Sequence, residues 1–99
     1  MTVYFVFNQE IHDQEKFKKY IARAKPAVLK HGGKMLINEP NLNVIEGKPN
    51  SLLVVLEFES EAAARKWYDS SDIQDIIHMR LEAAKGWAVI APKYEMPSS

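Results

Sequence analysis

Leu52-Leu53-Val54-Val55-Leu56-Glu57-Phe58 decides the fold. The run is apolar on both of its alternating sets of side chains. Its length suits a strand rather than a helix, and its centre is β-branched. A strand apolar on both sides is covered on both, and belongs in the middle of a sheet. Val3-Tyr4-Phe5-Val6-Phe7 reads the same way, so the chain has two central strands to place.

The rest is organised around them. Asn8 to His12 reads as a connection, and Asp13 as the cap of a first helix. Phe17, Tyr20, Ile21, Ala24 and Val28 recur every three or four residues, one stripe of that helix. Pro26 lies inside the pattern and is expected to kink or split the helix near Ala24. Gly32 is a left-handed stop. Gly33 to Asn38 reads as a second strand, Leu42 to Glu46 as renewed extended chain, and Gly47-Lys48-Pro49-Asn50 as a turn. After the third strand, Ser60 caps a helix ending at Trp67-Tyr68. Ser71 and Gln74 have capping-box spacing for a further helix. Its expected buried stripe is Ile73, Ile76, Ile77, Leu81 and Ala84, its stop is Gly86, and Trp87 to Ala91 is the last strand.

The order strand, helix, strand, strand, split helix, strand predicts an α+β, ferredoxin-like βαββαβ domain with a four-stranded antiparallel sheet. In that topology the first and third strands are central, which agrees with their composition. The domain is expected over residues 1–92. A polar tail follows over 93–99, with Tyr94 and Met96 as docking points. Helices cover only one sheet face. Leaving about five large apolar side chains of the other face wet forgoes ~1.5–3 kcal/mol each, and monomers seldom expose such a patch. A sheet-to-sheet homodimer is therefore expected.

Composition narrows the function. Ninety-nine residues, 46% hydrophobic and 26% charged, describe one soluble domain. Thirteen basic and thirteen acidic side chains balance, which argues against a nucleic-acid partner. Cysteine is absent, so thiolate chemistry and zinc-cysteine sites are excluded. The three histidines lack metal-ligand spacing, and Gly32-Gly33 lies in no phosphate loop. No metal and no cofactor is implied. No apolar run approaches the ~20 residues of a membrane span, and Met1-Thr2-Val3-Tyr4-Phe5 lacks the basic start of a secretory signal. A cytoplasmic protein is the expectation.

Glu57, Tyr68, Arg80 and His78 carry the candidate chemistry. Glu57 alternates with Leu53 and Val55 and shares their face. It is either a carboxylate reaching water at the strand end or a group that orients a ligand. Trp67 reads as core; Tyr68 points about 100° away around the helix, and either packs as well or puts its hydroxyl into a cleft. Arg80 borders the apolar stripe. It serves as an ion-pair clamp to Glu57 or Asp69, or as the anchor of an acidic ligand. His78 can pair with Glu82 four residues on. His12 and His31 sit at helix ends, where capping explains them.

Asp13-x-x-x-Phe17-x-x-Tyr20, Gly32-Gly33, Glu46-Gly47, Val54-Val55-Leu56-Glu57-Phe58, Trp67-Tyr68-x-Ser70 and Arg80 resemble the uncharacterised family called domain of unknown function thirteen-thirty. The resemblance spans about residues 3 to 91. It implies membership of the dimeric α/β barrels, and so a ferredoxin-like fold and a face-to-face dimer. The chain departs from the family pattern at Ser70-Ser71-Asp72-Ile73-Gln74, where the family has Ser-Pro-Glu-Tyr-Gln. It also has Leu52 where the family often has arginine. Related barrels include cofactor-free monooxygenases, lactone isomerases and haem-handling proteins, an analogy of fold alone.

The first reading is a homodimeric small-molecule-binding domain, its pocket between sheet and helices lined by Tyr4, Glu57, Tyr68 and Arg80. The alternative is a cofactor-independent enzyme, monooxygenase- or isomerase-like, acting on a small carbonyl or phenolic metabolite. Glu57 or His78 would move the proton and Arg80 would stabilise developing charge. A third reading is a structural or interaction module.

Overall fold

A computed structural model describes residues 1–97. The elements run β1 (Val3–Ile11), α1 (Gln14–Lys30), β2 (Lys34–Glu39), β3 (Leu52–Phe58), α2 (Glu61–Asp69), α3 (Ser71–Gln74), α4 (Ile77–Ala83) and β4 (Ala84–Pro92). They form a four-stranded sheet in the order β2-β3-β1-β4, antiparallel throughout. The two most apolar strands are the central ones, and the architecture is ferredoxin-like. Val3, Phe5 and Phe7 of β1 and Leu52, Val54, Leu56 and Phe58 of β3 are buried on the helical side. Phe17, Tyr20, Ala24, Ala27 and Val28 of α1 close over them.

β1 does not stop at Phe7. It continues through Asn8 and Gln9 to Ile11, and the buried Asn8 amide is provided for. The Asn8 side chain donates to Asn50 O (3.0 Å) and Leu52 O (2.9 Å), and its Oδ1 accepts from Asn50 N (2.9 Å). A buried amide so bonded costs little, and the bonds fasten the loop before β3 to the central strand.

Pro26 neither ends nor splits α1, which runs unbroken from Gln14 to Lys30. The proline removes the bond that Ala22 O would accept. Ala22 and Pro26 are both exposed, so water can serve the freed carbonyl, while buried Ala24, Ala27 and Val28 hold both sides. Asp13 Oδ1 accepts from Lys16 N (3.1 Å) and Ser60 Oγ from Ala63 N (3.0 Å), as capping residues do. Gly32 takes φ 79° just past the helix end.

The second helical region differs from its expected pattern. Ser71 and Gln74 form no capping box; Ser70 precedes α3, and the Gln74 amide donates to Tyr68 O (2.8 Å). The chain breaks between α3 and α4, and this rotates the inward stripe. Ile73, Ile76, Arg80 and Ala83 face the core, whereas Leu81 is 61% exposed. Gly86 is not the helix stop. The last helical carbonyl, Ala83 O, accepts from His12 N (2.8 Å) and Asp13 N (3.2 Å), and β4 starts at once at Ala84, opposite Ile11. Gly86 lies inside β4, where a Cβ would run into Asn8 O. Leu42 to Glu46 add no strand. Tyr94 and Met96 stay exposed and dock on nothing among the described residues.

α3 is tied to the end of α1 by Asp72. Its carboxylate accepts from Lys30 Nζ (3.1 Å) and lies 3.3 Å from His31 Nε2. These hydrogen bonds hold the Asp72 carboxyl below its ordinary 3.8.

Candidate functional site

Two parts of the molecule could receive a partner or ligand, and the sheet separates them. The strand pleat decides which residue belongs to which. Side chains alternate along a strand, and residues paired across strands share a face. Tyr4 pairs with Glu57 and Ala91, Val6 with Val55 and Val89, Asn8 with Leu53 and Trp87. These pairs occupy the face away from the helices. Among the described residues only the Asn50 segment covers part of it, burying Asn8; Trp87 is 50% and Val89 47% exposed, and Tyr4, Val6, Leu53 and Val55 are only half-buried. The open face is thus an apolar field with Glu57 toward one end, between Tyr4 and Lys34 in the pairing.

The other part is a cleft between the helical side of the sheet and α1. Its walls are Phe7, Phe17, Val54, Leu56 and Trp67, and its polar residues are Gln9, Tyr20 and Arg80. Counted out to solvent it encloses about 410 Å³, of which about 40 Å³ admits a water-sized sphere. Ile21, Ala24, Lys25, Met35 and Leu52 complete its lining.

Arg80 is the buried cation of the cleft, and Lys25 an exposed one at its edge. Arg80 is 6% exposed, and its guanidinium lies over the rings of Phe7 (5.4 Å to the centroid) and Tyr20 (5.9 Å). Among the described residues no carboxylate comes within ion-pairing distance of it. Its Nε finds no acceptor among the described residues, and neither does Nε1 of Trp67. Trp67 is gripped edge-on by Phe5 and Phe7 and packed on Phe58. Burial pushes the Tyr20 phenol above its ordinary 10.0, against the opposing pull of the Arg80 charge. Tyr20 therefore remains a neutral hydroxyl.

The four side chains expected to share one pocket do not meet. Arg80 lines the cleft. Tyr68 lies against Phe5 and opens onto a separate hollow beside β4, with Glu61, Arg65 and Ile90. Tyr4 and Glu57 are on the opposite side of the sheet. The Glu57–Arg80 clamp is therefore not formed, and Asp69 does not take its place. His78 is exposed on α4, and its anticipated partner Glu82 is bonded instead by Lys16 Nζ (2.9 Å). Glu57, His78 and Arg80 thus do not assemble as a catalytic group. No group of three His, Asp or Glu side chains gathers among the described residues.

Gln9, Tyr20 and Trp67 are the cleft residues that the sequence reading left out. Tyr20 and Trp67 have core spacing, which hides their polar atoms. Gln9 is legible once β1 is extended, because Phe5, Phe7 and Gln9 alternate onto one face. Leu52, where the family resemblance leads one to look for arginine, is buried in the cleft wall. Arg80 is thus the sole buried guanidinium among the cleft's residues.

The family described as Domain of unknown function (DUF1330) matches residues 2–94. The chain belongs to this family. No match to a curated protein is found. Among solved structures, this DUF1330 chain resembles a protein of unknown function from Rhodopseudomonas palustris at 13% identity. The TM-score is 0.79 over 96% of this chain and 84% of that one. SnoaB, a cofactor-independent oxygenase from Streptomyces nogalater, aligns at 14% identity and TM-score 0.69, over 96% of this chain and 95% of its own. A dimeric ferredoxin-like protein of unknown function from Thermobifida fusca aligns at 15% identity and TM-score 0.65, over 94% and 92%. At such identities the likeness carries the fold alone. Among the described residues of the DUF1330 chain, no helix is long and apolar enough to cross a membrane.

Proposed function

We propose that this protein is a homodimer that binds a small molecule in the cleft between its sheet and α1. The observation that carries the ligand reading is the cleft itself: apolar walls with Gln9, Tyr20 and Arg80 gathered in it, the composition of ligand sites generally. The dimer follows from the open face. Trp87, Val89, Val55 and Val6 form an apolar field that a second copy's identical field would cover, and the similar Thermobifida fusca protein is described as dimeric. Tyr4 and Glu57 then belong to the contact between protomers, and Tyr68 and Arg80 to the helical side.

The enzymatic alternative draws on the likeness to SnoaB. It is the weaker reading, because Glu57 and His78 both lie away from the cleft and Tyr20 is held neutral. The binding reading is tested by methyl-labelled NMR against a panel of small aromatic and aliphatic fragments. Shifts concentrated on the methyls of Ile21, Met35, Val54 and Leu56 support it. Shifts scattered over the surface, or none, refute it. Sedimentation at about 10 µM, a concentration that a dimer of standard interface size survives, must give twice the protomer mass.

A further inference from the structure

We propose that the cleft takes a compact aromatic monoanion, a ring carboxylate whose charged head is held by Arg80. This rests on the reading of the cleft as a ligand site and adds the chemical class. The argument begins with an imbalance of donors. Arg80 Nε–H and Trp67 Nε1–H are both buried and both without an acceptor, and their residues line the same cleft. Buried donors are nearly always satisfied, and an exception calls for a cause. Tyr20, kept as a hydroxyl, adds a third donor. A carboxylate is acceptor-only, with about four lone-pair sites, and answers a surplus of donors better than an alcohol, amine or neutral amide.

Charge points the same way. A buried guanidinium keeps its charge, and no carboxylate of the described chain neutralises Arg80. One ligand carboxylate balances it. A phosphate dianion would leave a net negative charge among Phe7, Phe17 and Leu56, which desolvation disfavours. Lys25 at the cleft's exposed edge adds attraction for an approaching anion. The walls set the body of the ligand. They are aromatic and branched, and the space wide enough for a water-sized sphere is only about 40 Å³. A single ring is the natural size, admitted by movement of Met35, whose unbranched thioether repacks readily.

The test compares benzoate with its neutral isostere benzamide by titration at pH 7, followed through the lining methyls. Benzoate should bind at least about tenfold tighter, the effect of a charge-assisted hydrogen bond. Arg80→Met should abolish that preference while benzamide binding persists. Arg80→Lys keeps the charge without the fork and should weaken benzoate by about tenfold. It serves as the second variant should Arg80→Met not fold. Equal binding of benzoate and benzamide in the cleft overturns the anion assignment and leaves the ligand site standing. Tighter phenyl phosphate overturns the monoanion class. Benzoate shifts confined to surface lysines overturn the assignment, and no binding of either ring up to 10 mM, a limit far weaker than a millimolar site, overturns both readings.

Discussion

Replacing Arg80 by methionine should make the unliganded protein more stable, although it removes a buried charge that touches two aromatic rings. Taking an ion out of water costs several kcal/mol even after relaxation. The contacts over Phe7 and Tyr20, at 5.4 and 5.9 Å, return about 1–2 kcal/mol each. No ion pair among the described residues adds to that return. Methionine keeps most of the aliphatic packing and omits the charge, so the net gain should be roughly 1–4 kcal/mol, the range seen when buried charges give way to apolar side chains. For a chain this size each kcal/mol is worth about 4–8 °C. Thermal and guanidinium unfolding should be compared at equal protomer concentration, because association couples to apparent stability. A loss of about 2 kcal/mol or more at unchanged m-value would show that the guanidinium is satisfied within the free fold, and the argument from its isolation would fail.

Val55→Glu sets a carboxylate in the middle of the open face. If two copies meet there, the two-fold doubles the desolvation cost, and dissociation should become easier by more than about 100-fold. Sedimentation equilibrium reads this directly, and an unchanged dimer moves the interface elsewhere. Gly86→Ala should destabilise by about 1–3 kcal/mol, because a Cβ there overlaps Asn8 O; denaturant melts as stable as the parent's would place β4 differently. Asp72 has a depressed folded pKa, so its contribution is present above the unfolded value near 3.8 and lost as pH falls through the lower folded value. Asp72→Asn should therefore be less stable than the parent at pH 5–7, with the gap closing below pH 3.8. Parallel curves across that window would show that the Lys30 and His31 contacts contribute nothing.

The central strands, the α1 stripe and the order of elements could be read from the chain because each rests on a local period. The continuous runs Val3–Phe7 and Leu52–Phe58 have one comfortable place in a sheet, and Glu57 follows Leu53 and Val55 by alternation alone. The helix break after Gln74 could not be read this way, because one added turn of backbone rotates every later side chain. Leu81 and Arg80 exchange inward and outward roles through that rotation. The end of β1 was hidden for another reason: Asn8 and Gln9 look like loop residues until the partners of the Asn8 amide, Asn50 and Leu52, are known to lie 42 and 44 positions away. Pro26 is tolerated because tertiary packing on either side outweighs one lost bond.

β1 and β3 each belong to two surfaces at once. Along β1 the odd-numbered Phe5, Phe7 and Gln9 belong to the cleft side, and the even-numbered Tyr4 and Val6 to the open face, with Asn8 beyond them under the Asn50 segment. Point substitutions can therefore retune one surface while leaving the other's contacts in place. A one-residue deletion within β1 has no such freedom, since it carries every later side chain across the sheet. Lineages of this fold should accordingly diversify these strands by replacement, and place their insertions and deletions in the loop over residues 40–51.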